Sequence, residues 1–205
     1  MARLAFMTVA LLLLGGIVGS SGVRAQATPE ASPAAAPVEM QAAAVYCTEK
    51  GGTVVTREPI LGANLDPADR IVLGGATQFC DFRGMAGDDS AISLSLETLY
   101  SEQPTLAALA YLTKPPTLKD ATGGNPSTLY CIHLGGAYNF GGNLAGGGWV
   151  ATDSAADQDV TNYCVFADGS MIDAWGLTYH SGGVIRGVDL TPILRYQATE
   201  YPAVF

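Results

Sequence analysis

Tyr46-Cys47-Thr48-Glu49-Lys50-Gly51-Gly52 and Tyr130-Cys131-Ile132-His133-Leu134-Gly135-Gly136 carry one pattern in two places. Each is followed, at the same distance from its Cys, by an aromatic-Cys-x-Phe phrase: Phe79-Cys80-Asp81-Phe82 and Tyr163-Cys164-Val165-Phe166. Val45 maps onto Leu129 and Phe79 onto Tyr163 at the same shift. A register held by both cysteines, the tyrosine, the paired glycines and the phenylalanine predicts an internal duplication. A repeat decides what fold is to be sought.

Working outward, Val38 to Lys50 reads as a helix stopped by Gly51, with Lys50 favoured in its last turn. The second copy has Asn125 as N-cap, Pro126 at the first helical position and Gly135 as the stop. Strand character follows each Gly-Gly: Thr53–Thr56, Arg70–Leu73, Thr77–Phe82, and Asn162–Phe166. Ala91–Leu96 alternates, with Ile92, Leu94 and Leu96 on one face. Asp168-Gly169 lies between Tyr163–Phe166 and Met171–Trp175 and predicts a hairpin; Arg83–Asp89 is its longer counterpart. Short helices are expected over Pro104–Leu112 and Thr191–Gln197. The fold expected is α+β: two tandem repeats, residues 38–120 and 121–205, each a helix on a small antiparallel sheet followed by a short helix. Trp175 is expected to pack into the second sheet's core.

Residues 1–27 have the form of a secretory signal peptide. Arg3 is followed by an apolar run from Leu4 to Val18, then Ala25-Gln26-Ala27 as a cleavage pattern. The run is too short to span a bilayer, and no lipobox Cys follows it. Residues 28–37, with Pro29, Pro33 and Pro37, read as an extended linker. These features predict a secreted, extracytoplasmic protein. The whole chain carries a net charge of −9; without its leader it has 8 basic and 19 acidic residues, a net −11. Such acidity excludes a nucleic-acid binder, which needs cations to displace counterions from phosphate. An apolar content of 48% excludes a disordered tail.

An even number of cysteines in an exported chain suggests disulfides. Of three pairings, the repeat selects Cys47–Cys80 and Cys131–Cys164, each stabilising by roughly 3–4 kcal/mol on chain-entropy grounds. The rival, metal ligation, would want close C-x-x-C spacing or clustered histidines, which the sequence lacks.

The second half resembles a bacterial family of small secreted or lipoprotein domains that bears the haemolysin (hemolysin) label and has no known function. The resemblance rests on Asn125-Pro126, Tyr130-Cys131, Gly135-Gly136, Cys164-Val165-Phe166-Ala167-Asp168-Gly169 and Trp175. The first half shares only Tyr46-Cys47, Gly51-Gly52 and Cys80-x-Phe82. The family's third and fourth cysteines are missing from both halves. This correlated loss implies that those two pair with each other, and supports the pairing above. The label implies no mechanism.

No G-x-S-x-G, H-E-x-x-H or S-x-x-K signature occurs. His133 and His180 have no counterpart at the corresponding position of the other half and read as surface residues. Asp153, Asp157, Asp159 and the Asp88-Asp89 pair lack the spacing of a calcium loop. The Gly-rich run 141–148 lacks the Lys-Ser/Thr end of a phosphate loop. Neither metal nor cofactor is implied. Tyr138, Phe140 and Trp149 flank that run and are candidates for recognition, or else for a small core. The expectation is a non-catalytic binding or inhibitor-like module for an unknown protein or glycan partner, without stable membrane insertion. The alternatives are a hydrolase using a cleft between the repeats with a histidine base, and a membrane-active protein.

Overall fold

A computed structural model of the chain describes residues 35–117, 124–138, 146–153, 160–198 and 200. The leader, most of the linker, Phe140, Asp157 and Asp159 lie outside the described residues. In chain order the elements are α1 (Ala35–Glu49), β1 (Thr53–Leu61), β2 (Ile71–Val72), β3 (Thr77–Arg83), β4 (Ala91–Ser95), α2 (Leu96–Tyr100) and α3 (Leu106–Thr113). There follow α4 (Pro126–His133), β5 (Ala137–Tyr138), β6 (Gly147–Ala151), β7 (Tyr163–Val165), β8 (Met171–Asp173) and α5 (Ala174–Ser181).

The helix signals act as their chemistry requires. Asn125 caps α4 by accepting from the Ser127 N–H, and Pro126 opens the helix where a missing N–H costs nothing. Gly51 and Gly135 follow α1 and α4 at φ +84° and +79°, a conformation easy only for glycine. Helix α1 begins at Ala35, inside the expected linker.

The expected pairing of cysteines is present. Cys47–Cys80 ties α1 to β3, and Cys131–Cys164 ties α4 to β7. All four sulfurs belong to fully buried residues. Gly52 and Gly136 occupy matching seats beneath the bridges. A Cβ on either would lie 2.3 Å from the nearer Sγ, of Cys80 and Cys164 respectively. The second glycine of each pair is thus needed for space against the disulfide.

The strands form one antiparallel sheet, not two separate ones. Its order is β2-β1-β3-β4-β8-β7-β5, with β6 also on β1. The two halves meet where Leu94 of β4 faces Ile172 of β8, and again along β1 and β6, from Arg57–Ala151 to Leu61–Gly147. The sheet curls until Trp149 of β6 bridges Thr161, just ahead of β7. Strand β1 runs beyond the expected Thr56 to Leu61 because its second half pairs with β6.

Alternation gives the sheet two unlike faces. Cys80, Phe82, Ile92, Leu94, Cys164 and Ile172 point to the helices and form the main core with Leu99, Leu177 and Leu194. Phe79, Trp149 and Tyr163 form a second cluster inside the curl, flanked by Val165 and Met171. Two expected elements differ. Strand β8 stops at Asp173 because its carboxylate accepts the N–H groups of Trp175 and Gly176 and starts α5. Trp175 is therefore on a helix, half-buried, and not in a strand. Residues 191–197 make a turn, held by the Ile193 and Leu194 N–H groups on the Leu190 carbonyl, not a helix.

Candidate functional site

The site grows from α5. Trp175 and Tyr179 stand one turn apart, with ring centroids 5.5 Å apart and planes 27° from parallel. After α5 the chain turns at Gly183, and the Val184 N–H returns to the Tyr179 carbonyl at 3.1 Å. That closure lays Val184, Ile185 and Arg186 back beside the aromatic pair. The Arg186 guanidinium sits 5.5 Å from the Tyr179 ring centroid.

Gly187 then holds this strap against the sheet. It has φ +65°, and a Cβ there would lie 2.3 Å from the Phe82 carbonyl oxygen and 2.7 Å from the Ile92 nitrogen. Its N–H donates to Ser90 Oγ at 2.7 Å. Ser90 in turn donates its hydroxyl to Asp88 at 2.9 Å and its N–H at 2.8 Å. These bonds from Ser90, with the nearby charge of Arg186, hold the Asp88 carboxyl below the usual carboxylate range. Asp88, Ser90, Trp175, Tyr179, Val184, Ile185 and Arg186 thus line an open groove of about 560 Å³. Tyr179, Val184 and Ile185 are exposed.

The face of the sheet turned away from the helices carries a buried polar chain inside the curl. Arg57 Nη2 donates to Asp81 Oδ2 at 2.7 Å. Ser93 Oγ spends its single proton on the other Asp81 oxygen. The Tyr163 hydroxyl, 2.6 Å from Ser93 Oγ, must therefore be the donor to it. Burial pushes the Tyr163 hydroxyl far above its ordinary range, so it remains neutral. Tyr163 stacks on Phe79 at 4.1 Å, and Trp149 meets both rings edge-on. Asp173 pairs with Tyr163 across β7 and β8. Its burial, opposed by the two α5 N–H groups and by Arg186, raises its carboxyl to about 6.

His180, expected at the surface, is buried. Its ring stacks on Tyr111 at 3.6 Å and 3°. Burial first, and Lys114 second, lower its pKa to about 4, so it is neutral at physiological pH. His133 is exposed at the end of α4.

The residues singled out from the sequence are dispersed. Trp149 is only 8% exposed and is a core residue of the curl, and Tyr138 is half-buried against the main core. Tyr46 donates to the Ile193 carbonyl at 2.8 Å, and Tyr130 to that of Pro115, so both anchor their helices to distant chain. Phe166 is in the main core. Asp168, beside Gly169 at φ +81°, accepts from the Leu106 N–H at 2.7 Å and from Ser170. Burial works against its charge, but these bonds hold it below the usual range. Asp168 therefore fastens the hairpin to the start of α3. Asp153 is exposed. Among the described residues no acidic, His or Cys group is arranged to hold a metal.

Among the described sequence candidates, only Trp175 and Asp88 reach the groove. The signal that would have found it is Trp175-x-x-x-Tyr179, read at helical spacing after the cap Asp173.

Fold and groove together define a disulfide-stapled α+β domain around a curled antiparallel sheet. No protein-family model, curated protein or solved structure matches this chain. No helix among the described residues is long and apolar enough to cross a membrane.

Proposed function

We propose that the chain is a secreted, non-catalytic binding module, exported by the leader at residues 1–27, and that the Trp175–Tyr179 groove is its recognition surface. The observation that carries this is an aromatic pair, Tyr179 exposed and Trp175 half-buried, in a groove whose walls are fixed by Gly187 and the Ser90–Asp88 bonds. Rigid aromatic anchors with a polar rim are what recognition surfaces use, since little side-chain freedom is lost on binding. Two buried disulfides suit a protein that must persist in an oxidising compartment.

The scaffold is an internal duplication on this reading. Three things support it: bridges of equal span, Gly52 and Gly136 in matching seats, and Leu94 paired with Ile172, each the cross-strand partner of its own half's second Cys. The second copy alone carries Trp175 and Tyr179. The aromatic anchors thus come from one copy, the half that carries the haemolysin-like resemblance, while Asp88 and Ser90 of the other copy complete the groove.

The test is capture from envelope and culture fractions with the exported chain, compared with a Trp175→Ala/Tyr179→Ala variant. Enrichment of a component by the first and not by the second is expected. Equal capture by both, or none by either, overturns the assignment of this surface.

A further inference from the structure

We infer that the ligand of the groove is a neutral saccharide; the inference rests on the groove being the recognition surface. The groove offers two kinds of contact side by side. Trp175 and Tyr179 offer apolar ring surface suited to the C–H faces of a sugar. Asp88 and Arg186 offer planar groups able to accept from, and donate to, adjacent hydroxyls. The Asp88 carboxylate, and the backbone beside Arg186, are held before any ligand arrives. Asp88 is fixed by two bonds from Ser90, and the chain next to Arg186 by the Gly187 contact with β3 and β4.

Charge chooses among occupants. One acid and one base cancel within the groove, so it selects for no net charge. The chain as a whole carries −9, which repels polyanions. A cationic peptide would be drawn to the chain but would need an aromatic face for its cation. Arg186, 5.5 Å from the Tyr179 ring centroid, opposes a second cation there by like charge, an objection that does not apply to an uncharged ligand. A neutral polyhydroxylated ring meets none of these objections.

Trp149 and Trp175 are the only two indoles, so a Trp149→Phe background leaves Trp175 as the sole reporter inside the proposed site. Titration follows Trp175 emission with neutral gluco-, manno- and N-acetylglucosaminyl hexasaccharides. A hexalysine peptide and a polyuronate serve as charged comparators. Expected is a saturable shift with at least one neutral series, unchanged by high salt. Tyr179→Ala and Arg186→Gln should each weaken binding by about tenfold. Far-ultraviolet circular dichroism checks each variant, and Arg186→Gln, a half-buried rim change, serves if Tyr179→Ala does not fold. A salt-sensitive response to a charged comparator alone overturns the saccharide and leaves the groove as a binding surface. No response to any probe, while capture from envelope fractions still depends on Trp175 and Tyr179, also overturns the saccharide alone. No response and no such dependence overturn both.

Discussion

Asp173 and His180 should make opposite contributions to the pH dependence of stability, and single substitutions should separate them. Asp173 rises from 3.8 to about 6 on folding. The folded state then holds more protons than the unfolded one between those values, so stability falls as pH rises through that window. His180 drops from 6.5 to about 4. Here the unfolded state holds more protons, so stability rises with pH from about 4 to 6.5. Each shift is worth about 3 kcal/mol at 1.36 kcal/mol per unit. The two slopes nearly cancel in the native chain. Asp173→Asn keeps one of the two acceptors used by the Trp175 and Gly176 N–H groups, loses the other at a cost that does not vary with pH, and cannot titrate. That variant should gain about 3 kcal/mol between pH 4 and 6.5. His180→Phe keeps a flat ring on Tyr111 and should lose about 3 kcal/mol across pH 4 to 6. The assay is urea unfolding at stepped pH with the disulfides intact, followed by midpoints at constant m. Curves for both variants running parallel to the native one would refute the reasoning.

Other substitutions test the scaffold. Gly136→Ala should cost about 2 kcal/mol or more, since its Cβ would overlap the Cys164 sulfur; Gly51→Ala, with open space but positive φ, should cost only about 1 kcal/mol in the same denaturation assay. Arg57→Met should cost about 2–3 kcal/mol by leaving Asp81 unpaired, and adding Asp81→Leu should recover most of it in a double-mutant cycle. Trp149→Ala should cost about 3–5 kcal/mol, and Trp175→Ala well under half of that, because only the first empties a closed core. Non-reducing peptide mapping should return Cys47–Cys80 and Cys131–Cys164, and replacing either pair by Ser should cost about 3–4 kcal/mol of thermal or urea stability.

Local chemistry made much of this fold legible. Asn125-Pro126 and Gly135 bracket α4, Asp168-Gly169 turns the β7–β8 hairpin, and the equal Cys spacing selects the bridges. What escaped the sequence was decided by contacts between the halves or by a competing local signal. The union into one sheet is made by two seams between the halves, the pair Leu94 with Ile172 and the β1–β6 ladder from Arg57–Ala151 to Leu61–Gly147, which no short-range pattern announces. Met171–Trp175 alternates like a strand, yet Asp173 can also cap a helix, and its bonds to two N–H groups decide the matter. Pro59 hid the second half of β1, because proline ordinarily argues against a paired strand. The groove was missed for the same reason as the helix: Trp175 and Tyr179 share a face only at helical spacing. Trp149, beside a Gly-rich run, read either as a recognition or as a core residue, and the curl of the sheet, which closes over it, decides for the core.

Which of the two tryptophans meets the ligand decides whether the groove is the recognition surface. Each gives one indole N–H resonance in a nitrogen-15 correlation spectrum of the exported chain. On addition of a ligand captured from envelope fractions, the Trp175 signal should shift progressively to saturation, together with Tyr179 and Arg186 amides, while Trp149 stays in place. A shift confined to Trp149, with Trp175 unmoved, would contradict the groove as the recognition surface.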